Sequence, residues 1–183
     1  MQEMRIHGRG GQGGVMAGEI LVSALALDGK SGASFPMFGF ERRGAPVTAF
    51  VRISDSPVRE RCQVYAPDYL LVLDDVQVKW PQTFAGVKPR ATLILNSARP
   101  LSDPPHQNIT SAGVVDATQI AMEEIGKPAV NTGILGAFAA TTGWVGLEAI
   151  TSALEQYFQG RILERNTRCE ERGYNEVKVI AWE

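Results

Sequence analysis

The sequence predicts an α/β fold with three layers, a mostly parallel sheet and a glycine-rich loop after the first strand. Short apolar runs alternate with longer segments of helical character along the chain, as in a sheet flanked by helices. Two of these runs, "DYLLVLDD" and "RATLILNSA", are almost continuously apolar, which is typical of central parallel strands covered on both faces. No linker or repeat interrupts the 183 residues, so we expect a single domain over residues 1–183.

The first half of the chain predicts three strands and one helix. "MRIHG" predicts a short strand, and "GGVMAGEILVSALALDG" predicts an apolar helix that ends at Gly29. The strand, the glycine loop and the helix form the first half of a βαβ unit. "SGASFP" predicts the second strand. "APVTAFVRISDSPV" alternates with period two and predicts a third strand that ends at the turn signal "SDSP".

The second half predicts mainly helices after the two apolar strands. "VVDATQIAMEEIG" predicts a helix capped by Asp116 and ended at Gly126. Two helices divided near Gly143 follow from Thr132 to about Gln159, and "GRILERNTRCEERGYNEVK" predicts a last, charged helix with a tail. The loop "ARPLSDPPHQN" is expected to be exposed.

The helix beginning "NTGILGAFAA" has two further features. Asn131 stands at its start and is predicted to be its N-cap. Small residues predict a face suited to close packing against another helix or a subunit, and they are Gly133, Gly136, Ala137, Ala139 and Ala140.

The composition is that of an ordinary globular protein and excludes several functions. Apolar residues make up 44% and charged residues 21%, with a formal net charge of −2. We therefore expect no nucleic-acid partner and no membrane partner. No apolar run approaches the roughly 20 residues of a membrane span, and the first residues do not resemble a secretory signal. We expect a cytoplasmic protein.

Cysteine and histidine are too few and too scattered to predict a metal site. Cys62 and Cys169 lie far apart, and the histidines are His7 and His106. The usual zinc and iron–sulfur spacings are absent, so the sequence predicts two free thiols in a reducing compartment.

The stretch "RIHGRGGQGGVMAG" predicts a phosphate-binding loop. Gly8, Gly10 and Gly13 have the GxGxxG spacing between a strand and a helix, which presents backbone N–H groups and a helix N-terminus to an anion. The candidate binding residues are Gly8, Arg9, Gly10, Gly11, Gln12, Gly13 and Gly14. The loop lacks the Gly-Lys-Ser/Thr of a Walker loop. No carboxylate ends the second strand to bind a ribose. A tight turn without a ligand remains the alternative.

A second unusual stretch, "SFPMFGFERRG", combines aromatic and charged residues. Phe35, Phe38 and Phe40 cannot all be buried by their own loop, so they are expected to pack on the core or on a partner. Glu41, Arg42 and Arg43 follow. An arginine pair suits phosphate or carboxylate recognition, and a solvated charge pair is the alternative.

Four blocks in order resemble one family over nearly the whole chain: "HGRGGQGGVMAGEIL", "FPMFGFERRGAPVTAFVRISDSPVRER", "PDYLLVLDD" and "NTGILGAFAATTG". They resemble the gamma subunit of 2-oxoacid:ferredoxin (acceptor) oxidoreductases, which act on pyruvate, 2-oxoisovalerate or 2-oxoglutarate. The resemblance implies a Rossmann-like domain in an enzyme that oxidatively decarboxylates a 2-oxoacid on thiamine diphosphate. Electrons then pass through iron–sulfur clusters to ferredoxin, and the acyl group passes to coenzyme A.

The resemblance also implies a division of labour among subunits. Thiamine diphosphate and Mg²⁺ would lie on the alpha and beta subunits, and the clusters on beta and a ferredoxin-like delta subunit. This chain has no GDG…N signature for thiamine diphosphate. It would carry no catalytic residue and no cofactor alone, and would be inactive alone.

The same resemblance assigns provisional roles to the two unusual stretches. The glycine loop would hold phosphates of coenzyme A, and Arg9 would pair with one of them. Arg42 or Arg43 would either contact a phosphate or form ion pairs with another subunit. Phe35, Phe38, Phe40 and Glu41 would lie at the interface. Glu19 stands near the place where fused pyruvate enzymes carry a lysine, and its charge would repel phosphate. An independent nucleotide-binding protein and a purely structural assembly module are the alternative functions.

Overall fold

One mixed sheet organises the structure, a computed structural model that describes residues 1–37 and 44–182. Within them seven strands stand in the order β2-β3-β1-β4-β5-β6-β7. Their bounds are β1 (Gln2–Arg9), β2 (Ser31–Pro36), β3 (Pro46–Ser54), β4 (Tyr69–Val72), β5 (Ala91–Asn96), β6 (Ile109–Val115) and β7 (Lys178–Ala181). The middle strands β1, β4, β5 and β6 are parallel. The outer pairings are antiparallel. The predicted α/β class is confirmed, and the parallel part of the sheet is its middle.

The first crossover of the chain skips one strand. Helix α1 (Gly14–Leu27) connects β1 to β2, and β3 lies between them, antiparallel to both. β2 therefore runs in the direction of β1, as the predicted βαβ unit requires, without being its neighbour. The antiparallel strand beside β1 differs from a dinucleotide-binding fold, in which the next parallel strand occupies that place.

All α-helices of the described part pack on one face of the sheet. After α1 they are α2 (Ala117–Glu124), α3 (Asn131–Thr142), α4 (Leu147–Leu154) and α5 (Gly160–Glu176). The larger core lies between them and the sheet and includes Met4, Ile6, Leu71 and Phe138. None of these helices is long and apolar enough to cross a membrane.

The opposite face is covered by short 3-10 helices and connecting segments. The 3-10 helices Asp75–Lys79 and Pro81–Phe84 follow β4. A smaller core beneath this layer contains Leu70, Leu93 and Phe84. Since β4 and β5 contribute buried residues to both cores, their prediction as strands covered on both faces is confirmed.

Helices α3 and α5 approach closely because glycines meet at their contact. A Cβ added to Gly173 would lie 2.7 Å from the carbonyl carbon of Gly133. One added to Gly136 would lie 2.9 Å from the backbone nitrogen of Tyr174. The predicted small-residue face therefore packs against a helix of the same chain.

Most predicted helix ends are confirmed, and one is wrong. Asp116 caps α2, where its Oδ1 accepts from the N–H of Gln119 at 2.8 Å, and Gly143 ends α3 in the left-handed conformation. Asn131 is not an N-cap: Val130 takes that place, and Asn131 is the first, buried residue of the helix. The predicted tail after α5 forms the edge strand β7.

Candidate functional site

The glycine-rich loop lies where two neighbouring parallel strands lead the chain to opposite faces of the sheet. β1 and β4 are parallel neighbours. β1 leads through the loop into α1 on the helical face, whereas β4 leads into the 3-10 helix Asp75–Lys79 on the opposite face. Ligands of open α/β sheets bind at such points, outside the carboxyl ends of the strands.

The loop needs glycine for its backbone and for its neighbours. Gly11 and Gly13 have φ of 97° and 80°, which side chains rarely adopt. A Cβ on Gly8 would lie 3.0 Å from a methyl group of Leu73, and one on Gly13 would lie 3.0 Å from the side chain of Asn131. Both the conformation and the space therefore select glycine here.

Hydrogen bonds close the first part of the loop. The N–H of Arg9 donates to Oε1 of Gln12 at 2.7 Å, and the N–H of Gln12 donates to the Arg9 carbonyl at 3.0 Å. The N–H of Gly10 donates to the carbonyl of Ala45 at 2.9 Å. Because these donors and the Gln12 amide oxygen are used internally, this part of the loop is a structural turn.

The second part of the loop offers free donors. Gly13 is the N-cap of α1, and no side chain caps that helix in the described structure. The first N–H groups of a helix have no partner within it, so those of Gly14, Val15 and Met16 are available at the wall of a cavity of about 430 Å³. Glu19, on the outer face of α1, lines the same cavity.

Arg9 is held by two groups that follow β4. Its Nε pairs with Asp74, and its guanidinium lies 5.9 Å from the centre of the Trp80 ring. Asp74 also accepts from the N–H of Val76 at 3.1 Å and so caps the 3-10 helix. Asp74 balances the charge of Arg9, so a phosphate would have to share this arginine with a carboxylate.

A separate cleft beside the loop is acidic. Asp74, Asp75 and Asp116 line a cavity of about 450 Å³ at the ends of β4, β5 and β6. Three carboxylates disfavour an anion there. The electrostatically favourable side for a phosphate is therefore the N-terminus of α1.

The structure brings the seven predicted loop residues together, from Gly8 to Gly14. The predicted residues Phe38, Phe40, Glu41, Arg42 and Arg43 lie outside the described residues. The chain just after them is fixed to the loop, because the N–H of Gly44 donates to the Gly10 carbonyl at 3.1 Å.

Phe35, the remaining predicted interface residue, contacts its own sheet. Its ring lies 5.2 Å from that of Phe50 and faces Arg52 at 5.8 Å. Sequence reasoning missed Asp74, Trp80 and Asn131. Only Asp74 had a visible signal, since it directly follows a predicted parallel strand.

The described residues supply no metal site. No three His, Cys, Asp or Glu side chains come together there in a way that would hold an ion. Cys62 is exposed and Cys169 is buried, and neither forms a disulfide.

The fold and the loop define an α/β domain with an uncapped helix N-terminus at the switch point of a mixed sheet. Comparison with known proteins identifies the family to which this domain belongs. The profile of the family described as "Pyruvate ferredoxin/flavodoxin oxidoreductase" matches residues 3–176. The chain belongs to this family, as the gamma subunit of a 2-oxoacid:ferredoxin oxidoreductase complex, and the resemblance seen in the sequence is confirmed.

Relatives match over their full length. Pyruvate synthase subunit PorC of Methanothermobacter thermautotrophicus is 46% identical over 98% of both chains. The pyruvate/ketoisovalerate oxidoreductases common subunit gamma of Thermococcus kodakarensis is 43% identical, again over 98% of both. The crystal structure of pyruvate oxidoreductase subunit PORC from Thermotoga maritima is similar with a TM-score of 0.85 and 36% identity, over 97% of both chains.

Proposed function

We propose that this chain is the non-catalytic gamma subunit of a thiamine-diphosphate-dependent enzyme that converts a 2-oxoacid to an acyl-coenzyme A. Thiamine diphosphate and Mg²⁺ belong to the alpha and beta subunits, the iron–sulfur clusters to beta and delta, and ferredoxin accepts the electrons. Family membership over residues 3–176 supports this assignment. The name of the Thermococcus kodakarensis relative, a subunit common to two oxoacid enzymes, supports a substrate selectivity that lies in other subunits.

The contribution of this chain is to hold a phosphate of coenzyme A at the glycine loop. The observation that carries this proposal is the uncapped N-terminus of α1, which opens into a cavity beside the partly exposed Arg9. N–H groups and the helix dipole favour an anion there. Arg9 contributes through the guanidinium nitrogens other than the Nε that pairs with Asp74. Arg42 and Arg43 remain predicted phosphate contacts.

Two substitutions, one that removes a negative charge at the cavity and one that adds a negative charge, test the proposed phosphate binding in the assembled complex. Glu19→Gln removes the one carboxylate described at the cavity wall, and we expect the KM for coenzyme A to fall roughly twofold to fivefold, on the scale of a partly screened charge. Val15→Asp adds a carboxylate at the second helical position, and we expect KM to rise about tenfold. An acidic residue there favours the helix dipole, and Val15→Asn controls for the packing that Val15 provides against the larger core.

Matched controls separate binding from general charge effects. Glu164→Gln makes the same change on an exposed face of α5 and is expected to leave KM unchanged. Val15→Asn removes the same valine methyl groups without adding charge. If neither Glu19→Gln nor Val15→Asp moved KM while the complex still assembled, the loop would be a turn without a ligand and the chain an assembly module.

A further inference from the structure

A third cavity lies on the face of the sheet away from the α-helices. Its volume is about 240 Å³, and its floor is formed by Arg5 and His7 of β1 with Thr48 and Phe50 of β3. The walls come from Met37 after β2, from the segment before β4 and from the two 3-10 helices with Trp80 between them. Besides Met37, the wall residues are Gln63, Val64, Tyr65, Gln77, Trp80, Gln82 and Thr83. Most of this surface is apolar, and the glycine loop is not part of it.

Arg5 is a buried cation that the described residues do not neutralise. It is 8% exposed. Its hydrogen bond in the described structure runs from Nη2 to the Thr83 carbonyl at 3.0 Å, and its Nε has no partner. No carboxylate among the described residues forms an ion pair with it. Burial lowers the pKa of Arg5, but a guanidinium stays charged at neutral pH.

Arg52, on the same face of the sheet, shows how this chain satisfies a buried arginine. Its Nε donates to Glu3 at 3.0 Å, and its Nη1 donates to the Cys62 carbonyl at 2.7 Å. The contrast is informative, because a buried charge without a partner is strongly unfavourable. Arg5 keeps its charge at the floor of a cavity, where an incoming anion would meet it.

His7 adds a neutral polar group beside Arg5. Burial, together with the nearby charge of Arg5, lowers the pKa of His7 to about 4, so the imidazole is neutral at pH 7. Its Nε2 is buried without a hydrogen-bond partner. The floor of the cavity therefore presents the Arg5 guanidinium, which suits a carboxylate, with an uncharged imidazole beside it.

We propose that this cavity binds a small organic carboxylate with an apolar body of about the size of a benzene ring. The carboxylate pairs with Arg5 beside the neutral His7, and the apolar body lies against Phe50, Trp80 and Met37. The volume is adequate, since a cavity of about 150 Å³ in another protein holds benzene. The ligand is a free small molecule, and the site is separate from the coenzyme A site proposed above.

The cavity is joined to the glycine loop by two residues. Gln77 donates from Nε2 to the carbonyl of Gly8 at 2.7 Å, and Trp80 lies against the guanidinium of Arg9. A molecule that displaces the Trp80 ring would also remove its contact with the Arg9 guanidinium. The site is therefore positioned to change the affinity of the loop for its own ligand.

Benzoate is the probe for this site, and benzyl alcohol is its uncharged counterpart. Calorimetric titration of the full chain is expected to show one benzoate site, accompanied by a change in tryptophan fluorescence. Benzyl alcohol should bind about tenfold more weakly, because it cannot pair with Arg5. Equal affinities, or no benzoate binding at millimolar concentrations, would overturn the proposal without any variant being made.

Variants and the assembled complex complete the test. Arg5→Met should reduce benzoate affinity about tenfold or more and raise the melting temperature, because a buried unpaired charge is replaced by an apolar side chain. The control Arg99→Met changes an exposed arginine outside the cavity and should leave binding intact. Unchanged binding in Arg5→Met would refute the site. Benzoate binding that disappears in the assembled complex would assign the cavity to a side chain of another subunit instead.

Discussion

Replacing Gly173 by alanine tests whether the contact between α3 and α5 depends on the absence of a side chain. An alanine Cβ would lie 2.7 Å from the carbonyl carbon of Gly133, and ordinary Cβ contacts begin at 3.4 Å. Neither the added Cβ nor the Gly133 carbonyl can rotate away, because each is fixed by the backbone of its helix. The helices must therefore separate by about 1 Å or tilt, and either movement opens the core next to Ile134 and Phe138.

The expected cost follows from two opposing effects. Overpacking in a close-packed interior costs about 1–3 kcal/mol, and more where the backbone must move. Alanine is favoured over glycine within a helix by about 1 kcal/mol. With the cost in the upper part of its range, we expect Gly173→Ala to lower the free energy of unfolding by roughly 1–2 kcal/mol, which for a chain of this size lowers the melting temperature by roughly 2–8 °C.

Urea unfolding followed by circular dichroism measures this change. The control is Asn175→Ala, on the exposed side of the same helix, where the gain in helix propensity should leave stability equal or slightly higher. If Gly173→Ala were as stable as the control, the contact would have room for a methyl group, and the role assigned to these glycines would be wrong.

Three further predictions concern buried or capping side chains. Burial raises the pKa of Glu170 to about 8 from an ordinary value of 4.5. The folded state then holds a proton that the unfolded state has lost, so the free energy of unfolding falls as pH rises from about 4.5 to about 8, by at most roughly 5 kcal/mol. Glu170→Gln should flatten that dependence in urea titrations at several pH values; an unchanged slope would contradict this assignment. Asp116→Ala removes the cap of α2 and should cost about 1 kcal/mol, whereas Asp116→Asn keeps it; equal melting temperatures for the two variants would argue against capping. Arg52→Lys cannot reproduce the bonds to Glu3 and Cys62 and should cost about 2–4 kcal/mol, with faster proteolysis near residue 62 as a second measurement; wild-type stability would show that a single ammonium suffices.

Local patterns in the sequence were sufficient for most elements. Alternating or continuous apolar runs identified β3 to β5, and capping residues such as Asp116 marked helix ends. Strand β6, "ITSAGVV", was not predicted, because serine and glycine interrupt its pattern. Its strand conformation comes from pairing with β5 and β7. The insertion of β3 between β2 and β1 likewise depends on pairing between distant segments, which no local window contains.

The candidate site likewise has one part that local sequence predicts and another that depends on contacts between distant residues. The spacing of glycines located the loop, since it reflects the demands of a local turn. The partner of Arg9 could not be read from the sequence, because Asp74 lies 65 positions further along the chain. The same limit hid the placement of Asn131 against Gly13 and the exposure of Arg5 and His7 to one cavity.

The position of Asn131 means that helix α3 helps to fix the conformation of the glycine loop. Asn131 begins α3, lies against Gly13, and donates from Nδ2 to the sulfur of Met16 at 3.5 Å. The loop is thus preorganised: its conformational entropy is lost when the chain folds, and little remains to be lost when a ligand arrives. Loosening the distant contact between α3 and α5 would therefore weaken the proposed binding at the loop through disorder alone, with every proposed binding residue still present.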